Sequence, residues 1–137
     1  MSVFVDTSAL FAILDADDEN HEAAGQTWAD LVSQGADLTC TNYVLLEGFA
    51  LVQHRLGPDA IRTLQEDIIP MLRVEWVTKA HHASAVAALL IAASRHLSLV
   101  NCVSFEIMRH LGIREVFAFD RHFADQGFTL LPPNSKQ

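Results

Sequence analysis

The apolar positions of this chain fall into two kinds of segment, short dense runs and longer stretches of helical period. Val3-Phe4-Val5 is the first dense run, the pattern of a strand covered on both faces. It ends on Asp6, after which Ala9, Leu10, Ile13 and Leu14 repeat at helical spacing, with Thr7 or Ser8 able to cap the helix start. Residues 15–22 read as a polar turn. A second helix follows over about 21–33 on Ala24, Trp28, Leu31 and Val32, ended by Gly35. Residues 37–40 predict a short strand, and Thr41 or Asn42 then caps a strong helix to about Leu56, stopped by Gly57-Pro58. That helix is apolar almost all the way round, with Glu47 the exception among Tyr43, Val44, Ala50 and Leu51.

Pro58 suits the first turn of another helix, whose stripe is Ile61, Leu64, Ile68 and Ile69 and which Pro70 breaks. Residues 72–77 alternate as a half-exposed strand, and 81–95 form an alanine-rich helix of high propensity. Val103, Ile107, Met108 and Leu111 mark a further helix closed by Gly112, with Asn101 at its N-cap or just before it. Residues 116–119 repeat the opening design, an apolar strand that ends on Asp120 and runs into Arg121-His122-Phe123. A last strand at 128–131 precedes a polar tail. The alternation predicts an α/β domain, three-layer α/β/α with a mostly parallel central sheet, over residues 1–131, with 132–137 as the C-terminal tail.

Composition narrows this only in part. With 137 residues, half of them hydrophobic, one compact domain with a substantial core is expected. The net charge of −8 argues against a protein that grips nucleic acid with its whole surface. Its distribution is uneven: residues 1–54 hold nine acids and no Lys or Arg, whereas 55–137 hold nine bases and eight acids. A polyanionic partner should therefore approach from the second half. Cys40 and Cys102 lie in apolar surroundings without metal or redox spacing and are expected as buried free thiols. The absence of a long apolar run and of a signal-peptide pattern makes a cytoplasmic protein, without membrane contact, the expectation.

The chemistry follows from where the acids fall. Groups leaving the carboxyl ends of parallel strands converge on one crevice, so Asp6 and Asp120 can meet there, joined by Glu47 from its helix and by Asn101. Carboxylates crowded into a partly dry site repel, and a divalent cation is their simplest companion. Oxygen ligands without Cys or His favour Mg²⁺ or Mn²⁺, ions that polarise phosphoryl oxygens and activate water for phosphodiester hydrolysis. Thr7 and Ser8 can steady the first carboxylate. Arg121 and His122, with Arg95 and Arg109, are candidates for phosphate contacts. The pair His81-His82 points in two directions about 100° apart and reads as surface. A phosphatase of the haloacid dehalogenase type would want a second Asp where Ser8 stands.

Four stretches, Val5-Asp6-Thr7-Ser8-Ala9-Leu10, Thr41-Asn42-Tyr43-Val44-Leu45-Leu46-Glu47, the segment from Leu97 to Phe105, and Ala118-Phe119-Asp120-Arg121-His122-Phe123, together resemble the PIN-domain ribonucleases, most of all the VapC-like toxins of type II toxin–antitoxin pairs. The resemblance implies a metal-dependent endoribonuclease acting on single-stranded or looped RNA and leaving a 5′-phosphate and a 3′-hydroxyl. It implies Asp6, Glu47 and Asp120 as acidic ligands of an Mg²⁺ or Mn²⁺ ion, a homodimer, and a cognate antitoxin that blocks the site in a heteromeric complex. Asn101 stands where the family carries a further acid, usually Asp. Its amide oxygen can coordinate without the full charge, so weakened cleavage is expected. The alternative is a non-catalytic PIN-like module that binds RNA or protein.

Overall fold

The computed structural model describes residues 1–133. The expected tail, apart from Pro132 and Pro133, lies outside the described residues. Five strands, β1 (Ser2–Val5), β2 (Asp37–Thr41), β3 (Arg73–Glu75), β4 (Glu115–Phe117) and β5 (Thr129–Leu131), form one sheet in the order β3-β2-β1-β4-β5. All four pairings are parallel. Helices flank the sheet, as the dense apolar strands require: Val3, Phe4 and Val5 of the central strand have no exposed surface, and neither have Val116 and Phe117 beside them. Each such side chain contributes about 1.5–3 kcal/mol by leaving water.

The helices are α1 (Thr7–Leu14), α2 (His21–Ser33), α3 (Asn42–Arg55), α4 (Pro58–Thr63), α5 (Lys79–Ala92), α6 (Leu99–Leu111) and α7 (His122–Asp125). Between the ends of β1 and β2 and their helices there is no loop at all: Asp6 and Thr41 are single extended residues that cap α1 and α3. Side chains at these positions are thereby fixed by two elements at once. The core continues from the sheet into Leu10 of α1, Val44 and Val52 of α3, and Val103, Ile107 and Met108 of α6. Cys40 and Cys102 are buried free thiols, as expected, and burial pushes Cys40 up to about 12.

Several boundaries differ from the pattern. The helix expected to run unbroken from Pro58 widens by one residue per turn over Leu64–Ile68 and tightens over Ile69–Met71 before β3; Leu64 and Ile68 are nevertheless buried. Strand β3 stops at Glu75 rather than at 77, because the Val77 N–H donates to Asn42 Oδ1 at 2.8 Å instead of continuing a ladder. Helix α5 begins at Lys79, capped by Thr78, and ends where Ala93 turns left-handed, short of Arg95. Strand β4 ends at Phe117, and α7 is a short helix that the pattern does not announce. Helix α3 is less enclosed than its composition suggests, since Leu46 is 74% exposed. Among the described residues no helix is long and apolar enough to cross a membrane.

Candidate active site

Parallel strands in register bring the carboxyl ends of β1 and β4 side by side. Val5 lies opposite Phe117, and the Asp6 N–H donates to the Phe117 carbonyl at 3.0 Å. Asp6 is 4% exposed. Its Oδ2 accepts the Ser8 N–H at 3.1 Å and the Ser8 hydroxyl at 2.6 Å. That hydroxyl in turn accepts the Phe119 N–H at 3.0 Å, so Ser8 ties the end of β1 to the segment that delivers Asp120. Thr7 is buried and reaches across to the Val44 carbonyl in the first turn of α3 at 3.5 Å. Of the two expected supports of Asp6, Ser8 is the direct one.

Asp120 is more open, its side chain 26% exposed. Oδ1 accepts the His122 N–H at 2.9 Å and lies 2.8 Å from His122 Nδ1, while Oδ2 accepts an N–H of the Asn101 amide at 3.1 Å. His122 is thus bound to Asp120 through Nδ1. Asn101 does not cap α6, as expected from its sequence position; Ser98 does. The Ser98 hydroxyl accepts the Asn101 N–H at 3.0 Å, and Asn101 Oδ1 accepts the Ser98 N–H at 3.2 Å and its hydroxyl at 2.9 Å. This reciprocal capping box satisfies two N–H groups at the helix start. It also turns the amide oxygen away from Asp120 and presents the amide hydrogens.

Glu47 is half-buried and has no hydrogen bond or ion pair among the described residues. Its charge still reaches Asp6. The Asp6 carboxyl is pushed up to about 6, first by burial; the Ser8 hydroxyl and N–H pull against that rise, and the charges of Asp120 and Glu47 add to it. Asn101 and Asp120 are thus bonded to each other, Asp6 is tied to the segment carrying Asp120 through the Ser8 hydroxyl, and the charges of Asp120 and Glu47 both act on Asp6. As the side chains stand, no three His, Cys, Asp or Glu groups among the described residues close around a single point.

The remaining expectations divide. Arg121 is exposed beside the cluster. Arg109 is not available to a phosphate there: its guanidinium donates to Gln126 and lies 5.2 Å from the Phe128 ring centre, about 12 Å along α6 from Asn101. Arg95 is exposed in the turn between α5 and α6. Ser98 went unnoticed in the sequence, although Ser98-x-x-Asn101 has the spacing of a capping box. Ser104, one turn beyond Asn101, is wholly buried with a hydroxyl that finds no partner.

The PIN domain family model matches residues 3–128. The 23S rRNA-specific endonuclease VapC20 of Mycobacterium tuberculosis is 33% identical over 132 residues, spanning 96% of this chain and 98% of its own length. The crystal structure of that protein, described as a sarcin-ricin loop cleaving toxin, superposes on 92% of this chain with a TM-score of 0.82 and is covered over 95% of its length. FitAcB from Neisseria gonorrhoeae superposes with a TM-score of 0.65 at 14% identity, over 91% of this chain and 94% of its own. That second likeness speaks for the fold alone.

Proposed function

The chain belongs to the PIN domain family, and on that footing we propose that it is an endoribonuclease toxin of the VapC type, set to low activity by Asn101. The observation that carries the proposal is the gathering of Asp6 and the bonded pair of Asn101 and Asp120 beyond the carboxyl ends of neighbouring parallel strands, joined through Ser8, with the charges of Asp120 and Glu47 acting on Asp6. The substrate is a single-stranded or looped RNA. Because VapC20 is named for 23S rRNA and for the sarcin-ricin loop, that loop is the first RNA to try.

The residues fit an Mg²⁺ or Mn²⁺ ion. Their donors are hard oxygens, and a carboxyl raised to about 6 by burial and by like charges is a group whose charged form a cation would favour. Asp6, Asp120 and an oxygen of residue 101 would hold the ion, and bound there it polarises a phosphoryl oxygen and acidifies its water. Glu47, half-exposed and free of hydrogen bonds among the described residues, would hold a second ion or orient an attacking water. Ser8 and His122 hold the two aspartates in position, and Arg121 takes a backbone phosphate.

Asn101 weakens this arrangement by geometry as well as by charge. For its oxygen to face the cluster, the amide must turn and give up both bonds from Ser98, at about 0.5–1.5 kcal/mol each. With Asp at 101, one carboxylate oxygen keeps Ser98 and the other faces Asp120. The Asn101→Asp variant should cleave a sarcin-ricin stem–loop in Mg²⁺ or Mn²⁺ at least about tenfold faster than the parent chain, and EDTA should abolish cleavage. Equal rates for the two proteins would refute the role of position 101. Ion uptake without turnover in Asn101→Asp would favour the non-catalytic binding module, the reading that the inward-facing amide hydrogens support for the parent chain.

A homodimer is part of the proposal. Leu90 and Ile91 at the end of α5 and Leu46 on α3 are large apolar side chains left in water, which a second copy would cover. A cognate antitoxin that closes the crevice, in the cytoplasm where the RNA is, completes the assignment.

A further inference from the structure

The loop that leaves β3 carries Trp76, whose side chain is 72% exposed. We infer that this indole is a stacking platform for an unpaired base of the RNA, at the rim of the carboxylate crevice; the inference rests on the RNA-cleaving reading above. Register gives its position. Thr41 pairs with Glu75, and extending the β1–β2 register by two residues sets Asp6 level with Thr41. Trp76 thus departs from the same edge of the sheet as Asp6, one residue later and two strands away, about 10 Å across.

The loop follows the end of β3, where Glu75 pairs with Thr41, and is held in place just beyond the indole's departure. The Val77 N–H donates to Asn42 Oδ1 at 2.8 Å, Thr78 caps α5 by accepting the His81 N–H at 3.1 Å, and the Tyr43 hydroxyl is hydrogen-bonded to His82 Nδ1. Asn42 and Tyr43 belong to the same first turns of α3 that lead to Glu47, about 6–8 Å along the helix axis. A chain segment fixed in this way loses little freedom when a ligand lands on it. Only the indole is left uncommitted.

The surrounding charge favours a base over an acidic or phosphate-led contact. On this side of the crevice the chain up to residue 54 has no Lys or Arg, Asp6 and Glu47 repel phosphates, and Arg73 is taken by Asp37 at 3.3 Å. Stacking requires no cation and is worth about as much as a phosphate contact for each base engaged. Lys79, exposed three residues beyond Trp76, supplies the single cation that such a platform uses for the neighbouring backbone.

The test uses the full chain and a short single-stranded oligoadenylate. Trp28→Phe leaves Trp76 as the sole tryptophan, and its emission should be quenched on titration with the RNA. In the parent chain Trp76→Ala should weaken RNA binding about ten- to a hundred-fold, Trp76→Tyr should keep most of the affinity, and Trp76→Leu should not. In the Asn101→Asp background the loss should appear in KM rather than in kcat. Unchanged binding by Trp76→Ala, or full affinity in Trp76→Leu, overturns the inference while cleavage by Asn101→Asp leaves the proposed function standing. Trp76 emission that follows protein concentration and ignores RNA also overturns it, placing a second copy of the chain on the indole. If neither the parent nor Asn101→Asp binds RNA, the proposed function falls and takes the inference with it.

Discussion

Two strands of this protein end in the same way, an apolar run closing on an aspartate and a polar turn, yet the two aspartates live in different surroundings. Asp6 leaves the central strand, is almost wholly buried, caps an eight-residue helix and is raised to about 6. Asp120 leaves β4, nearer the edge, holds a quarter of its side chain in water and is bound by the N–H and ring of His122 and by Asn101. Asp6 follows the central strand directly and caps a helix, whereas Asp120 lies three residues beyond a strand nearer the edge, and the solvent each carboxylate keeps follows that placement. The inner aspartate is the one that demands compensation, and the outer one is where the chain can adjust it.

If both nevertheless serve one cation, they should be equivalent in catalysis. In the Asn101→Asp background, Asp6→Ala and Asp120→Ala should each reduce RNA cleavage by about 10³-fold, the loss of several kcal/mol of transition-state stabilisation. Single-turnover rates on the stem–loop measure this directly. A variant of either that keeps within tenfold of the parent rate would separate the pair and confine the chemistry to one side.

In stability the two should part. A carboxyl whose folded value is about 6 against an ordinary 3.8 binds its proton more tightly in the folded state. Its contribution is fully present below about 3.8 and is lost as pH rises through about 6. Relative to Asp6→Asn, the metal-free parent should therefore be more stable at the acid end of that window than at pH 7, by about 3 kcal/mol. Urea unfolding of both proteins at several pH values gives the difference, and a flat difference would mean that water reaches Asp6.

Much of this was legible in the residues and some was not, for reasons that differ. Dense runs at Val3–Val5 and 116–117 announce buried strands because alternation is lost only when both faces are covered, and an all-parallel sheet then puts Asp6 and Asp120 on one edge. Helical stripes such as Leu10 with Leu14 survive any neighbour. The early end of β3 was not readable, because the group that captures Val77 is the side chain of Asn42, 35 residues earlier. Nor was the orientation of Asn101: a capping residue and a metal ligand look alike in sequence, and only the bonds from Ser98 show which way the amide faces. An apolar helix signals burial only where something packs on every side; Leu46 lies open to water, and Glu47 beside it is half-buried rather than enclosed.

Ser8 links the two aspartates and offers a smaller, sharper test. Ser8→Ala removes the hydroxyl donor to Asp6 and leaves the Phe119 N–H without its acceptor. A cost of about 1–3 kcal/mol is expected from the orphaned groups. Because the Ser8 hydroxyl lowers the Asp6 value, its loss should also move the pH window of the previous experiment upward. A stability change without that movement would mean that Ser8 supports β4 and not the carboxylate.

The smallest effect should come from His122. Its ring and its N–H both meet Asp120 Oδ1, and the backbone bond at 2.9 Å survives truncation. The ring is 34% exposed, so its bond competes with water and with salt. His122→Ala should cost less than about 1 kcal/mol, no more than a few degrees in Tm. A loss as large as that of Ser8→Ala would show Asp120 to be as dry as Asp6. The distinction between an inner and an outer carboxylate would then have to come from Asn101, whose amide donates to Asp120 Oδ2, and the cleavage gained by Asn101→Asp would be accompanied by a loss of stability that added Mn²⁺ reverses.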